Sequence, residues 1–248
     1  MRASMIGLSA LALVASATPV LAQDDTKEFT ITGSAALVSD YRFRGISQSN
    51  KRLAAQASAT ITHSSGFYGS FWASSIDDYV AAGSDTELDL IGGYSTTISG
   101  VTLDGGALYY VYSTASKGAN TDFLELYASA KVAFGPATVK VGAAYAPKSN
   151  ALTVGSGKED NLYLYSDLGY AIPDTGFALS AHIGHSFDKS FITGGEYTDW
   201  SLGAAYTWRN VTFGVQYVDT DMPYGQFINA FGKNEGKAGV VGTVTYAF

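Results

Sequence analysis

The connections between strands constrain this chain more than the strands themselves do. Apolar and polar residues alternate at period two through twelve runs: 28–43, 53–63, 67–77, 85–97, 101–113, 121–134, 137–146, 160–172, 177–187, 196–208, 211–220 and 237–248. Alternation of this kind is the pattern of a β-strand with unlike faces. After every second run the link is short: SSG, ISG, GP, PDTG and RN. After the others it is longer and more polar: GISQSNKR, DYVAAGS, ASKGAN, PKSNALTVGSGKE, DKSFITGG and DMPYGQFINAFGKNEG. An up-and-down outer-membrane barrel alternates short periplasmic turns with longer outer loops. A soluble sandwich with Greek-key crossings has no reason to keep that order. The expected fold is therefore all-β: a transmembrane antiparallel up-and-down barrel of about 12 strands with both termini on the turn side.

The two faces of each run agree with that expectation. One face carries Phe29, Ile31, Ala35 and Leu37 in the first run, and Leu124, Leu126, Val132 and Phe134 in the sixth. Trp200, Leu202, Tyr206 and Trp208 follow in the tenth, then Val211, Phe213, Val215 and Tyr217 in the eleventh. Aromatics gather near the short turns, at Phe29, Phe67, Phe134, Phe177, Trp208 and Phe248, where a barrel places its interfacial girdle. The segment SDYRFRGIS, Ser39 to Ser47, extends the first run, with Tyr41 and Phe43 on the apolar face and Asp40, Arg42 and Arg44 on the other. The last strand, VVGTVTYAF, alternates Val240, Gly242, Val244, Tyr246 and a terminal Phe248. This ending resembles the strand that the bacterial outer-membrane assembly machinery recognises, so that machinery is an expected partner, together with outer-membrane lipid.

The N-terminus points to export. Arg2 precedes an apolar run from Met5 to Ala17, and Val20-Leu21-Ala22 supplies small residues for cleavage after Ala22. The run is too short to span a bilayer. Residues 1–22 are thus expected to be a cleaved signal peptide and residues 23–248 the barrel of a Gram-negative outer membrane. Among 248 residues there is no cysteine, and the net charge of −7 offers no basic surface for nucleic acid.

SDYRFRGISQSN, followed by HSSGFYGSFWASS at His63 to Ser75, resembles the proteobacterial family of TorF-family porins. The residues that carry the resemblance are Ser39-Asp40-Tyr41-Arg42, Arg44-Gly45-Ile46-Ser47-Gln48, and Ser65-Gly66-Phe67-Tyr68-Gly69 with Trp72. They cover about the first quarter of the mature chain. LAAQAS at Leu53 to Ser58 departs from the pattern, where a proline-containing stretch is expected. The resemblance implies an outer-membrane, porin-like role and supplies no substrate.

A porin-like role makes the inward face the place to look for chemistry. About eight strands give a barrel filled by side chains, and 16–18 leave an aqueous channel, so twelve implies a narrow lumen. The candidate pore-lining residues are Asp40, Arg42, Arg44, Glu87, Asp89, Asp104, Glu125, Lys131, Lys140 and Asp167; Thr30, Thr32, Gln56 and Gln216 share their face. Fixed arginines attract anions. The same acids also pair with Arg42, Arg44 and Lys131 in a reading that makes them a rigid scaffold. Tyr68, Trp72, Tyr110, Tyr112, Tyr127, Tyr163 and Tyr165 fall inward by parity, either as lumen filling, the favoured reading, or as a sugar-stacking track.

The leading functional expectation is a channel for passive diffusion of small hydrophilic solutes or ions, with no enzyme activity and no cofactor. One alternative is a barrel lipid hydrolase built on Ser180, His182 and Ser186 with Asp167 as orienter. Against it, that face is the lumen, whereas lipid lies outside. A non-conducting structural or adhesive barrel is another alternative, and a soluble periplasmic β-protein a third. No metal site is expected from His63, His182 and His185, which are scattered.

Overall fold

The computed structural model describes residues 28–154, 157–190, 193–229 and 231–248; the expected signal peptide, residues 1–22, lies outside them. Among the described residues fourteen strands occur in chain order: β1 (Phe29–Val38), β2 (Arg42–Phe43), β3 (Ile46–Ser47), β4 (Ala54–His63), β5 (Phe67–Ser75), β6 (Thr86–Ile98) and β7 (Val101–Val111). They continue with β8 (Phe123–Phe134), β9 (Ala137–Val154), β10 (Gly157–Ala171), β11 (Phe177–Ser186), β12 (Tyr197–Trp208), β13 (Val211–Thr220) and β14 (Gly239–Ala247). Twelve of them, β1 and β4 to β14, form one closed antiparallel barrel in which sequence neighbours pair. β1 closes it against β14, with Ala35 opposite Tyr246 and Leu37 opposite Val244. Gly33 and Phe248 exchange both backbone hydrogen bonds, so the terminal residue joins the seam. Closure leaves the barrel sheet without a free edge strand among the described residues.

The barrel is inside out relative to a soluble protein. Leu202 is 64% exposed, and Ile31, Leu37, Leu126, Val215 and Val240 are exposed with it. Asp89, Glu125, Asp167, His182, Asp199 and Gln216 are buried. A soluble monomer rarely exposes a contiguous apolar patch of more than a few hundred Å², whereas here the apolar surface recurs on strand after strand. Lipid is the solvent that suits it, and the fold is a transmembrane β-barrel. The expected girdle residues Phe29, Phe67, Phe134, Phe177, Trp208 and Phe248 are all exposed at the turn end. Phe67 lies 4.9 Å from the ring of Tyr94 and Phe177 4.8 Å from that of Tyr206.

Two expectations are corrected. The first strand ends at Val38 and does not run on to Phe43. Tyr41, 2% exposed, and the partly buried Phe43 therefore pack inside the barrel, not on its lipid face. Asp40 makes the break: Oδ1 accepts from the Ser47 hydroxyl at 2.6 Å, and Oδ2 accepts from Arg42 Nε at 2.6 Å. Arg44 and Gly45, at φ 47 and 81, then turn the chain between β2 and β3. Successive positive φ values suit the tight hairpin, and glycine takes the second at no steric cost. The second correction concerns the stretch 147–159. Its described residues are strand, not loop: β9 and β10 continue the pairing, with register shifts between Gly157, Glu159 and Asn161. Its Ala151 and Leu152 are buried in the same cluster as Tyr110 and Phe123.

Candidate functional site: a hairpin inserted in the barrel mouth

The segment 39–53 folds into the loop end of the barrel instead of projecting from it. Asp40, Tyr41 and Arg42 are buried, as are all residues from Gly45 to Asn50. Two other loops clamp this segment. From the loop 76–85, Asp77 N–H donates to Gln48 O at 2.8 Å, the Tyr79 hydroxyl donates to Ser47 O, and Asp77 pairs with Arg52. From the loop 221–238, Glu235 O accepts from Ser47 N–H at 3.0 Å, and Lys51 Nζ donates to Asn234 O at 2.7 Å. Asn229 binds the Glu235 carboxylate at 2.5 Å and lies 3.4 Å from Asn50 Oδ1.

The ten candidate residues separate into groups with different work. Arg42 is a brace: besides Asp40 it donates to the carbonyls of Gly45, Glu235 and Lys237 at 2.9, 3.2 and 2.9 Å. Arg44, at the hairpin tip, reaches the barrel wall and donates to Glu125 Oε2 at 2.6 Å and Asn161 Oδ1 at 2.8 Å. The Tyr197 hydroxyl donates to Arg44 O at 2.8 Å. Neither arginine stands on the barrel wall, because the barrel strand that was to present them ends at Val38.

Glu87 accepts from the Tyr41 hydroxyl at 3.0 Å and the Tyr112 hydroxyl at 3.4 Å, while Tyr110 donates to Glu125 at 3.3 Å. Asp89 is buried beside them, and its Oδ1 has no hydrogen-bond partner among the described residues.

Nearer the turn end, Asp104 accepts from the Tyr68 hydroxyl at 2.8 Å, and that hydroxyl also meets Tyr127. Lys131 and Lys140 face each other across β8 and β9, with Lys140 Nζ 5.1 Å from the Tyr165 ring centre. Inward glycines make room for these rings: a Cβ on Gly93 would collide with Tyr68, and one on Gly142 with Tyr165. The inward aromatics thus fill space.

Asp167 joins a separate cluster. It holds His182 Nδ1 at 2.6 Å, while Nε2 lies 3.2 Å from Asp199 Oδ1 and 2.8 Å from the Tyr163 hydroxyl. Both ring nitrogens are therefore engaged, and no hydrogen bond joins Ser180 to His182. A nucleophile needs a free base within reach, so this arrangement lacks the acyl-transfer geometry of a hydrolase.

Sequence reasoning missed Asn161, Asp199 and Glu235. Asp199 was findable, since it lies one residue from Trp200 and so faces inward by parity. Glu235 lies in a loop, where parity carries no signal.

A family model described as "Bacterial protein of unknown function (Gcw_chp)" matches residues 22–248. No curated protein matches the sequence. An outer membrane channel from Pseudomonas putida F1 superposes with a TM-score of 0.51 at 13% identity, covering 88% of this chain and 94% of that one. A chain solved in work on the in-meso crystallization of membrane proteins superposes with a TM-score of 0.52 at 11% identity, over 88% and 83% of the two chains. At such identities these likenesses concern the fold.

Proposed function

The chain belongs to the Gcw_chp family of bacterial proteins, and we propose that it is an outer-membrane channel for small hydrophilic solutes or ions, closed at its outer mouth by its own first loop. The resemblance of the Ser39–Gln48 and Ser65–Trp72 motifs to TorF-family porins supports the same reading. In it, residues 1–22 direct export, the short turns face the periplasm, and the strand ending at Phe248 engages the assembly machinery. The observation that carries it is the inverted barrel: apolar residues outside, buried charge inside, and a charged hairpin seated in the mouth. A solute entering from outside meets that hairpin first. Passage needs no cofactor, because lumenal polar groups replace part of the solute's hydration.

Arg42 and Arg44 are each neutralised by a carboxylate, whereas Glu87 and Asp89 are not paired with a cation among the described residues. The field around Glu87 and Asp89, at the loop end, is accordingly cation-attracting, while Lys131 and Lys140 lie nearer the turn end. The test is a planar-bilayer recording of the refolded full chain under a potassium chloride gradient. Discrete steps with a reversal potential of cationic sign are the expected result. An inserted, folded barrel that never conducts would favour the plugged structural barrel, a reading to which the burial of residues 45–50 also lends support.

A further inference from the structure

Arg44 occupies a cage built by the wall. Glu125 on β8 and Asn161 and Tyr163 on β10 supply a carboxylate, an amide oxygen and an aromatic face; the guanidinium carbon lies 4.2 Å from the Tyr163 ring centre. The hairpin itself contributes one more ring, Phe43, at 4.8 Å. A planar cation with several fixed donors matches this set better than a compact ammonium does. The cage is also more acidic than its occupant. Asp89 lies within electrostatic reach of both Glu87 and Glu125, and its Oδ1 is buried without a hydrogen-bond partner among the described residues. Arg42 does not answer that surplus: it pairs with Asp40 through Nε, and its Nη1 donates to backbone carbonyls.

We infer that Glu125, Asn161 and Tyr163 form a binding site for a guanidinium-bearing solute, which Arg44 fills as a tethered stand-in. A solute of that class entering the lumen would compete with Arg44 and so loosen the hairpin that closes the mouth. The loosening rests on the channel reading above; the site itself does not.

The test vacates the cage with Arg44→Gly, a residue that accepts the left-handed φ of 47 found there. Methylguanidinium is titrated by calorimetry into the refolded full-length variant in micelles. Saturable binding is expected, weakened about tenfold or more in the Arg44→Gly, Glu125→Gln double variant, since a charged hydrogen bond is lost. Wild type, with its cage filled, should bind correspondingly less, and methylammonium should bind the single variant less tightly than methylguanidinium. Equal binding by the single and double variants, or no saturation, would overturn the site. Should Arg44→Gly fail to refold, Arg44→Gln removes the same charge and carries the same expectation. Bilayer recordings of the same preparation separate the two proposals: binding without conductance overturns the channel and keeps the site, and conductance without binding does the reverse.

Discussion

The two ends of the lumen are built on different principles. At the turn end, neighbouring strands are laced by hydroxyl pairs: Thr97 with Thr102 at 3.0 Å, Thr207 with Thr212 at 3.0 Å, and Thr60 with Ser70 at 2.7 Å. At the loop end, charges are buried and bridge elements distant in sequence: Arg44 to Glu125, and Arg42 to the backbone of Glu235 and Lys237. Burying charge is expensive, and hydroxyl pairs alone would finish a wall. The expense at the loop end therefore points to a task beyond holding the barrel shut, and the hairpin seated there is the part positioned to perform it.

The comparison is broken most severely by removing the charge that seats the hairpin. Asp40→Ala leaves Arg42 buried without a carboxylate, a loss of about 3–5 kcal/mol in the seating of that segment. Trypsin should cut the variant after Arg42 or Arg44 while the strands stay protected, whereas the wild type, with Arg42 buried and Arg44 held by Glu125, is expected to resist cleavage at those two sites. An uncut variant would mean that the hairpin is held by something other than its charges.

Next in size is the contrast between the two faces of the wall. Leu202→Arg, near the middle of β12 on the exposed face, is expected to cost about 2–4 kcal/mol of folding stability in a bilayer. Thr60→Arg, on the lumenal face of β4, should cost under about 1 kcal/mol. Equal costs in vesicle-refolding titrations would refute lipid as the outer solvent.

The smallest effect concerns the covering loop. Burial holds the Glu235 carboxyl above its ordinary value of 4.5; Asp40 adds to the rise, while Lys51, Arg42 and Lys233 oppose it. A carboxyl raised in the folded state favours its protonated form. Its contribution to closure is therefore complete below 4.5 and fades as pH rises through the raised value. Proteolysis within 221–238 should accelerate as pH rises across that window, and Glu235→Gln should flatten the dependence.

The sequence made the wall legible and the plug illegible, for a physical reason. Alternation at period two and the order of connection lengths are local signals, and they located every barrel strand and both faces. Ser39 to Phe43 alternates like the strand before it. What stops it is the Asp40–Ser47 hydrogen bond, which period-two alternation does not encode, together with a contact far off in sequence, the Arg42 guanidinium with the backbone of Glu235. Arg-Gly is also a weaker turn signal than Asn-Gly. The hairpin of β9 and β10 was hidden differently: the proline, lysines and glycines of 147–159 resemble loop, yet Ala151 and Leu152 find apolar partners at the mouth.

The hairpin's role is tested most directly by comparing single-channel recordings of wild type and Arg44→Gly under identical salt. Losing the buried Arg44–Glu125 pair, at about 3 kcal/mol, would shift the ratio of closed to open mouths by about a hundredfold. Rare or small openings in wild type and sustained larger ones in the variant are the expected result. Indistinguishable traces from two equally well-folded proteins would contradict it and leave the hairpin a structural filling.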